Sequence, residues 1–134
     1  MAIQLSVSAR NARLDAIETT AGTSAKLRIY SGSAPADCAT AASGTLLVDI
    51  ALPSDWMSAA SSGSKAKLGT WQGTAAATGT AGYFRIVDNA GTTCHVQGTV
   101  TATGGGGDLT LDNVSIASSQ TVTISTFSLT DANA

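Results

Sequence analysis

The stretch YFRIVDNAGTTCHVQGTVTATGGGGDLTLDN, Tyr83 to Asn113, sets the grammar of the whole chain. It reads as strand, tight turn, long strand, glycine run, strand. Apolar side chains recur every second residue, and turn-forming residues interrupt them before any helical period is established. The same punctuation governs nearly everything after residue 25. Short segments so interrupted cannot build a helical bundle. They must pair across the chain, so the expected fold is mainly β: an antiparallel β-sandwich or jelly roll of about seven or eight strands.

Segment by segment, AKLRIYS (25–31) alternates, with Leu27 and Ile29 on one face and Lys26, Arg28 and Tyr30 on the other. SGSAPADCATAASG (31–44) is a small-residue loop in which Pro35 bars regular pairing. TLLVDIAL (45–52) places Leu46, Val48, Ile50 and Leu52 on one face, and Pro53 ends it. Trp56 is expected to plug one end of the core. SAASSGSKA (58–66) reads as a polar loop, and Trp71 lies on a short strand over 66–73. In the opening stretch, Phe84 and Ile86 point inward and Asn89-Ala90-Gly91 forms the turn. Gly98 marks a bulge or bend, and Gly104–Gly107 reads as a hinge, a flexible or closely packed connection. Leu109, Leu111 and Ile116 follow one pattern with a parity shift near Asp112, and Val122, Ile124, Phe127 and Leu129 another, with a bulge near Ser125. Residues 132–134 should fray.

Only residues 6–20 carry a helical period. Val7, Leu14 and Ile17 form the apolar stripe of an amphipathic helix, Ser6 is the N-cap and Gly22 the stop. Arg10 and Arg13 come early and Asp15 and Glu18 late, opposite to what the helix dipole favours. Contacts outside the helix must therefore hold it. The expected organisation is an arm and helix over 1–24 and one β-domain over 25–134.

Charged residues are only 12% of the 134, about half the usual share. The net charge of −2 is scattered, with no basic patch and no aromatic ladder, so nucleic acid is not an expected partner. No apolar run approaches membrane length, and the N-terminus lacks the basic-then-apolar pattern of a secretory signal. The expectation is a protein that stays where it is made, with Cys38 and Cys94 as two free buried thiols; a Cys38–Cys94 bridge is the alternative if their Cα atoms approach within about 7 Å.

Catalytic patterns are scarce. The one histidine, His95, adjoins Cys94, but neighbours on a strand face opposite ways. No G-x-S-x-G elbow is present, and three His and Cys residues are too few for a closed zinc site. Asp88, Asp108, Asp112 and Asn113 suit turns better than calcium. The glycine run lacks the Lys-Ser/Thr of a phosphate loop. No catalytic, cofactor-binding or metal-binding residue is expected, and the chain reads as a non-enzyme.

Six segments nevertheless resemble, together, a group of small proteins of tailed bacteriophages and prophages: SARNARLDAIETTAGTSAKLRIYSGSAP, LPSDWM, GTWQGT, FRIVDNAGTTCHVQGTV, TATGGGGDLTLDN and FSLTDANA. The resemblance spans nearly the whole chain and implies a virion structural protein. Its first implied role is a capsid decoration, or cement, protein on the head surface, made in the host cytoplasm. The alternative is a tail, fibre or baseplate component, and a sugar-binding or hydrolytic domain ranks below both. The cement role implies the major capsid protein and neighbouring copies as partners. It points to an arm and docking helix over 1–18, the loop 31–44 and the glycine run as contact sites. The candidate partner-binding residues are Leu5, Val7, Arg10, Arg13, Leu14, Ile17, Pro35 and Gly105.

Overall fold

A computed structural model describes residues 3–131; the expected fraying of 132–134 and the first two residues of the arm lie outside it. The fold is mainly β with one N-terminal helix, α1 (Val7–Ala21). Ten strands follow among the described residues, more than the seven or eight expected: β1 (Lys26–Ser31), β2 (Leu46–Ala51), β3 (Ser64–Ala66), β4 (Trp71–Thr74), β5 (Gly79–Val87), β6 (Cys94–Ala102), β7 (Leu109–Leu111), β8 (Ser115–Ile116), β9 (Thr121–Ile124) and β10 (Ser128–Thr130). The main sheet runs β2-β1-β5-β6-β7, with β8 added to β5. Two ribbons, β3–β10 and β4–β9, complete the set. Trp56, Trp71, Phe84 and Phe127 share one buried cluster with Leu27, Ile29, Leu47 and Ile50.

The helix caps are where the sequence puts them. Ser6 Oγ accepts the Ala9 N–H at 3.1 Å. Gly22, at φ 89°, donates its N–H to the Glu18 carbonyl. The apolar stripe is different: Leu14 and Ala21 are the buried helix residues, Ile17 is half-buried and Val7 is exposed. The stripe thus packs at Leu14 and partly at Ile17, while its first residue stays in solvent.

Register accounts for several departures in the sheet. Ile29 pairs with Val48 but Tyr30 with Leu46, so Leu47 is an extra residue, and it is buried together with Val48. Between β5 and β6, Ile86 pairs with Val96 and Val87 with Cys94, which makes His95 the extra residue. The bulge is therefore at His95 and not at Gly98. Gly98 pairs straight with Phe84. A Cβ there would come within 2.8 Å of the Phe84 ring and of the Asp108 carboxylate, so close packing explains the glycine. The parity change near Ser125 is a break between β9 and β10, which pair with different partners, and not a bulge.

One pair, β6–β7, is parallel, which corrects the expectation of antiparallel pairing throughout. Parallel neighbours ordinarily need a crossover of a dozen residues or more. Here Val100 pairs with Leu109, so the chain only has to step back a short way and sideways. The glycine run makes that return possible. Gly104 and Gly106 adopt φ of 88° and 81°. At Gly105 and Gly107 a Cβ would lie 2.8 Å from the Thr101 side chain. Asp108 then closes the return by accepting Thr99 N–H and Oγ1–H at 2.9 and 3.0 Å. Of the two readings of the run, flexible or closely packed, Gly105 and Gly107 favour the packed one.

Candidate functional site

The helix is held by polar pins from one face. Asn11 Oδ1 accepts the Gly63 N–H at 2.9 Å, Asp15 Oδ1 the Ala60 N–H at 3.0 Å, and Glu18 Oε1 the Met57 N–H at 3.1 Å. The spacing of four and three keeps these side chains on one helix face. All three reach the connection from residue 57 to 63, which begins at Met57 and runs into the polar loop expected over 58–66. Its continuation, Ser64–Ala66, pairs with β10 instead of remaining a loop.

Lys65 is the centre of this contact. It is 2% exposed, its Nζ 2.7 Å from Asp15 Oδ1 and 2.8 Å from Glu18 Oε2. A third bond goes to the Ser58 carbonyl at 2.9 Å. An ammonium buried this deeply needs such partners. Burial alone lowers its pKa, but the bonds to Asp15 and Glu18 outweigh that and raise it above 10.5. Asp15 is held below its ordinary value, first by the Lys65 hydrogen bond and then by the Ala60 N–H. Burial pushes Glu18 upward, yet Lys65, the Met57 N–H and Asp55 together hold it below 4.5.

Asp55 is bonded to Glu18 as well. Its pKa is raised, chiefly by its hydrogen bond with the Glu18 carboxyl and then by desolvation. The pair borders an open cleft of about 390 Å³ lined also by Thr19, Gly22, Thr23 and Ser54. Two carboxyls bonded to each other do not flank a substrate bond, as the separated acids of a glycosidase do. A raised carboxyl pKa stabilises the fold below the group's ordinary value of 3.8 and loses that stabilisation as pH rises through the native value. Asp55→Asn is therefore expected to raise the urea midpoint at neutral pH. The gain should shrink as wild-type Asp55 takes up its proton; urea titrations across the acid range check this.

Arg10 and Arg13 converge on one residue. Arg10 Nη1 donates to the Asp131 carbonyl at 3.2 Å, and Arg13 Nε pairs with the Asp131 carboxylate at 3.2 Å. Arg10 Nε is buried without a hydrogen-bond partner among the described residues. Arg13 and Ile17 also line a cleft of about 210 Å³ with Ala16, Thr20 and His95. The bulge thus aims His95 at the helix, while Cys94 faces the opposite side of the sheet. There Cys94 is bonded to Cys38, with Cα atoms 5.2 Å apart, so the expectation of two free thiols is corrected. The bridge ties the loop 31–44 over Tyr30 and Tyr83, whose rings stack at 5.0 Å, and over Arg85. Tyr30 is consequently buried, although it shares its face with Lys26 and Arg28.

The remaining candidates are dispersed. Leu5 is half-buried ahead of the helix, and Val7 is 47% exposed at its start. Leu14 is buried. Pro35 gives its carbonyl to Gln97 Nε2 at 2.9 Å on the loop side. Gly105 packs on Thr101 at the far end of β6. Arg10 and Arg13 meet at Asp131, and Arg13 and Ile17 line one cleft, while Pro35 and Gly105 lie on other elements. Sequence reasoning does not single out Lys65, Asp55 or Arg85, although the spacing of Asn11, Asp15 and Glu18 on one helix face signals a cation opposite. Asp88 accepts the Thr92 and Thr93 N–H groups within its own turn, and Asn113 accepts the Ser115 N–H. Among the described residues no group of three or more His, Cys, Asp or Glu is placed to hold a metal ion. No helix among them is long and apolar enough to cross a membrane. Compared with family models, curated proteins and solved structures, the chain matches none of them.

Proposed function

We propose that the protein is a non-enzymatic structural component of a tailed-phage virion. Its place is the outside of the head, as a decoration protein bridging major capsid protein subunits and neighbouring copies of itself. One observation carries the reading. Ile3 is 85% exposed and Val7 47% exposed, at the entrance of a helix that polar bonds clamp to the β-domain. A rigid body that holds out apolar side chains at one end is suited to docking on a larger surface. The main sheet and the two ribbons serve as the two layers of a sandwich in this reading, with the tryptophan cluster between them. The disulfide accords with a particle surface, one of the settings in which such bonds persist.

Copy number in purified particles is the direct test. The reading requires a copy of this chain for each of many equivalent capsid positions, and a ratio to major capsid protein below about one-to-ten overturns it. Such a low ratio would favour the tail, fibre or baseplate instead. Deleting the whole helix is a poor probe, because Lys65 would lose its two carboxylates. The sharper variant is Ile3→Asp with Val7→Asp. It should weaken binding to undecorated particles at least about tenfold while the unfolding midpoint stays unchanged.

A further inference from the structure

We propose that residues 32–44 form a redox-locked strap. With the Cys38–Cys94 bridge intact, the strap seals the outer face of the main sheet. Reduction releases it as a unit and uncovers Tyr30, Tyr83 and Arg85, while the rest of the fold stays closed.

The strap is built as a closed excursion. Ser31 and Thr45 bond reciprocally at its base, Ser31 N–H to the Thr45 carbonyl at 3.0 Å and Thr45 N–H to Ser31 Oγ at 2.9 Å. Gly32 and Gly44, at φ 84° and 77°, turn the chain out of the sheet and back. Between them no residue belongs to a strand. A segment with fixed ends and no ladder of its own opens locally without unzipping its neighbours.

Apart from the bridge, single hydrogen bonds hold it down. Gln97 Nε2 donates to the Pro35 carbonyl, Arg85 Nη2 to the Asp37 and Thr40 carbonyls, and the Tyr83 hydroxyl bonds both the N–H and the carbonyl of Ser43. Ordering a small-residue segment of this length costs conformational entropy that a few such bonds do not match. The covalent bond therefore decides whether the strap is down.

Arg85 makes both states tolerable. It is 5% exposed, and its guanidinium bonds neutral oxygens: the Gln97 amide and the two strap carbonyls. The Asp37 carboxylate is turned onto Thr40 and feels Arg85 only through its field. While the strap is down its carbonyls solvate the guanidinium; once it lifts, water replaces them. The open face would present two stacked tyrosine rings beside Arg85, with Arg28 along the same cleft.

The sulfurs are within reach of a reductant. Cys38 and Cys94 are half-buried and border a cleft of about 220 Å³ that Arg28 and Arg85 also line. Nearby guanidinium charge favours the departing thiolate. A dithiol reductant attacks one sulfur as its thiolate and expels the other. It then closes its own disulfide, so two electrons pass to the bridge and two protons complete the Cys38 and Cys94 thiols.

Hydrogen exchange on the full chain, with and without a dithiol reductant, tests the proposal. Amides of the strap, Thr40 and Ser43 among them, should exchange about tenfold faster or more after reduction, while those of Leu27–Ile29 and Phe84–Ile86 keep their protection. Cys38→Ser with Cys94→Ser should show the same pattern without reductant. Two alkylatable thiols should appear only after reduction. Unchanged strap protection overturns the proposal, as does loss of protection across the whole sheet. Alkylation of the unreduced native protein also overturns it.

Discussion

Lys65→Met is expected to destabilise the protein by roughly 3 kcal/mol, the low end of the range for breaking a buried ion pair. Methionine fills the space of the lysine stem but donates nothing. Glu18, with 19% of its side chain exposed, would lose its counter-charge while still bonded to Asp55. The Ser58 carbonyl would lose its ammonium donor. Asp15 keeps 47% of its side chain in water and rehydrates, which places the effect at the low end. Urea unfolding, followed by tryptophan fluorescence, reads the change as a lower midpoint at unchanged slope.

The pH profile separates this mechanism from lost packing. Asp15 and Glu18 have native pKa values below their ordinary 3.8 and 4.5. Their contribution is present above those ordinary values and is lost as pH falls through the native ones. Lys65 is the mirror case. Its contribution is fully present below 10.5 and disappears as pH rises through its higher native pKa. The gap between wild type and Lys65→Met should therefore be widest across the neutral range and narrow at both extremes. A gap that stays constant with pH would assign the loss to packing, and the helix would then not be held by charge.

How far the sequence reveals this arrangement depends on whether the cause is local. Ser6 and Gly22 are legible because a cap is made by the helix's own backbone. Leu27 and Ile29, and later Leu109, Leu111 and Ile116, are legible because alternation records burial directly. Leu47 and His95 are not, because a bulge is defined by the partner strand's register. The stripe Val7–Leu14–Ile17 tells only part of how the helix is held: Leu14 is buried, but Val7 is exposed. The helix is held by Asn11, Asp15 and Glu18, and their partners lie 39 to 52 residues away. Ser64–Ala66 looks like loop because its one buried side chain is a lysine, and only the helix makes that burial tolerable. Among the candidate contact residues, Val7 is exposed. The early arginines, in contrast, are occupied at Asp131.

The largest single loss is expected from Trp71→Ala, about 4 kcal/mol, within the range for emptying a buried aromatic site. Trp71 is fully buried on β4 and stands at the junction of the elements. Its ring lies 6.1 Å from Trp56 and 5.5 Å from Phe127, and Phe127 in turn meets Phe84 edge-on at 5.6 Å. The chain of rings thus runs from the corner after β2, through the ribbon β4–β9, to the main sheet. Trp71 Nε1 also donates to the Leu68 carbonyl at 3.1 Å, and Lys67 Nζ sits 5.7 Å above the ring. Alanine would leave a void the size of an indole between elements whose register is fixed by separate strand pairs, so little collapse can fill it. Trp71→Phe keeps most of the volume and should recover more than half of the loss. If alanine and phenylalanine were equally destabilising, the Nε1 bond to Leu68, and not the packed ring, would be what Trp71 chiefly contributes. If neither moved the urea midpoint, the two ribbons would not share one core with the main sheet.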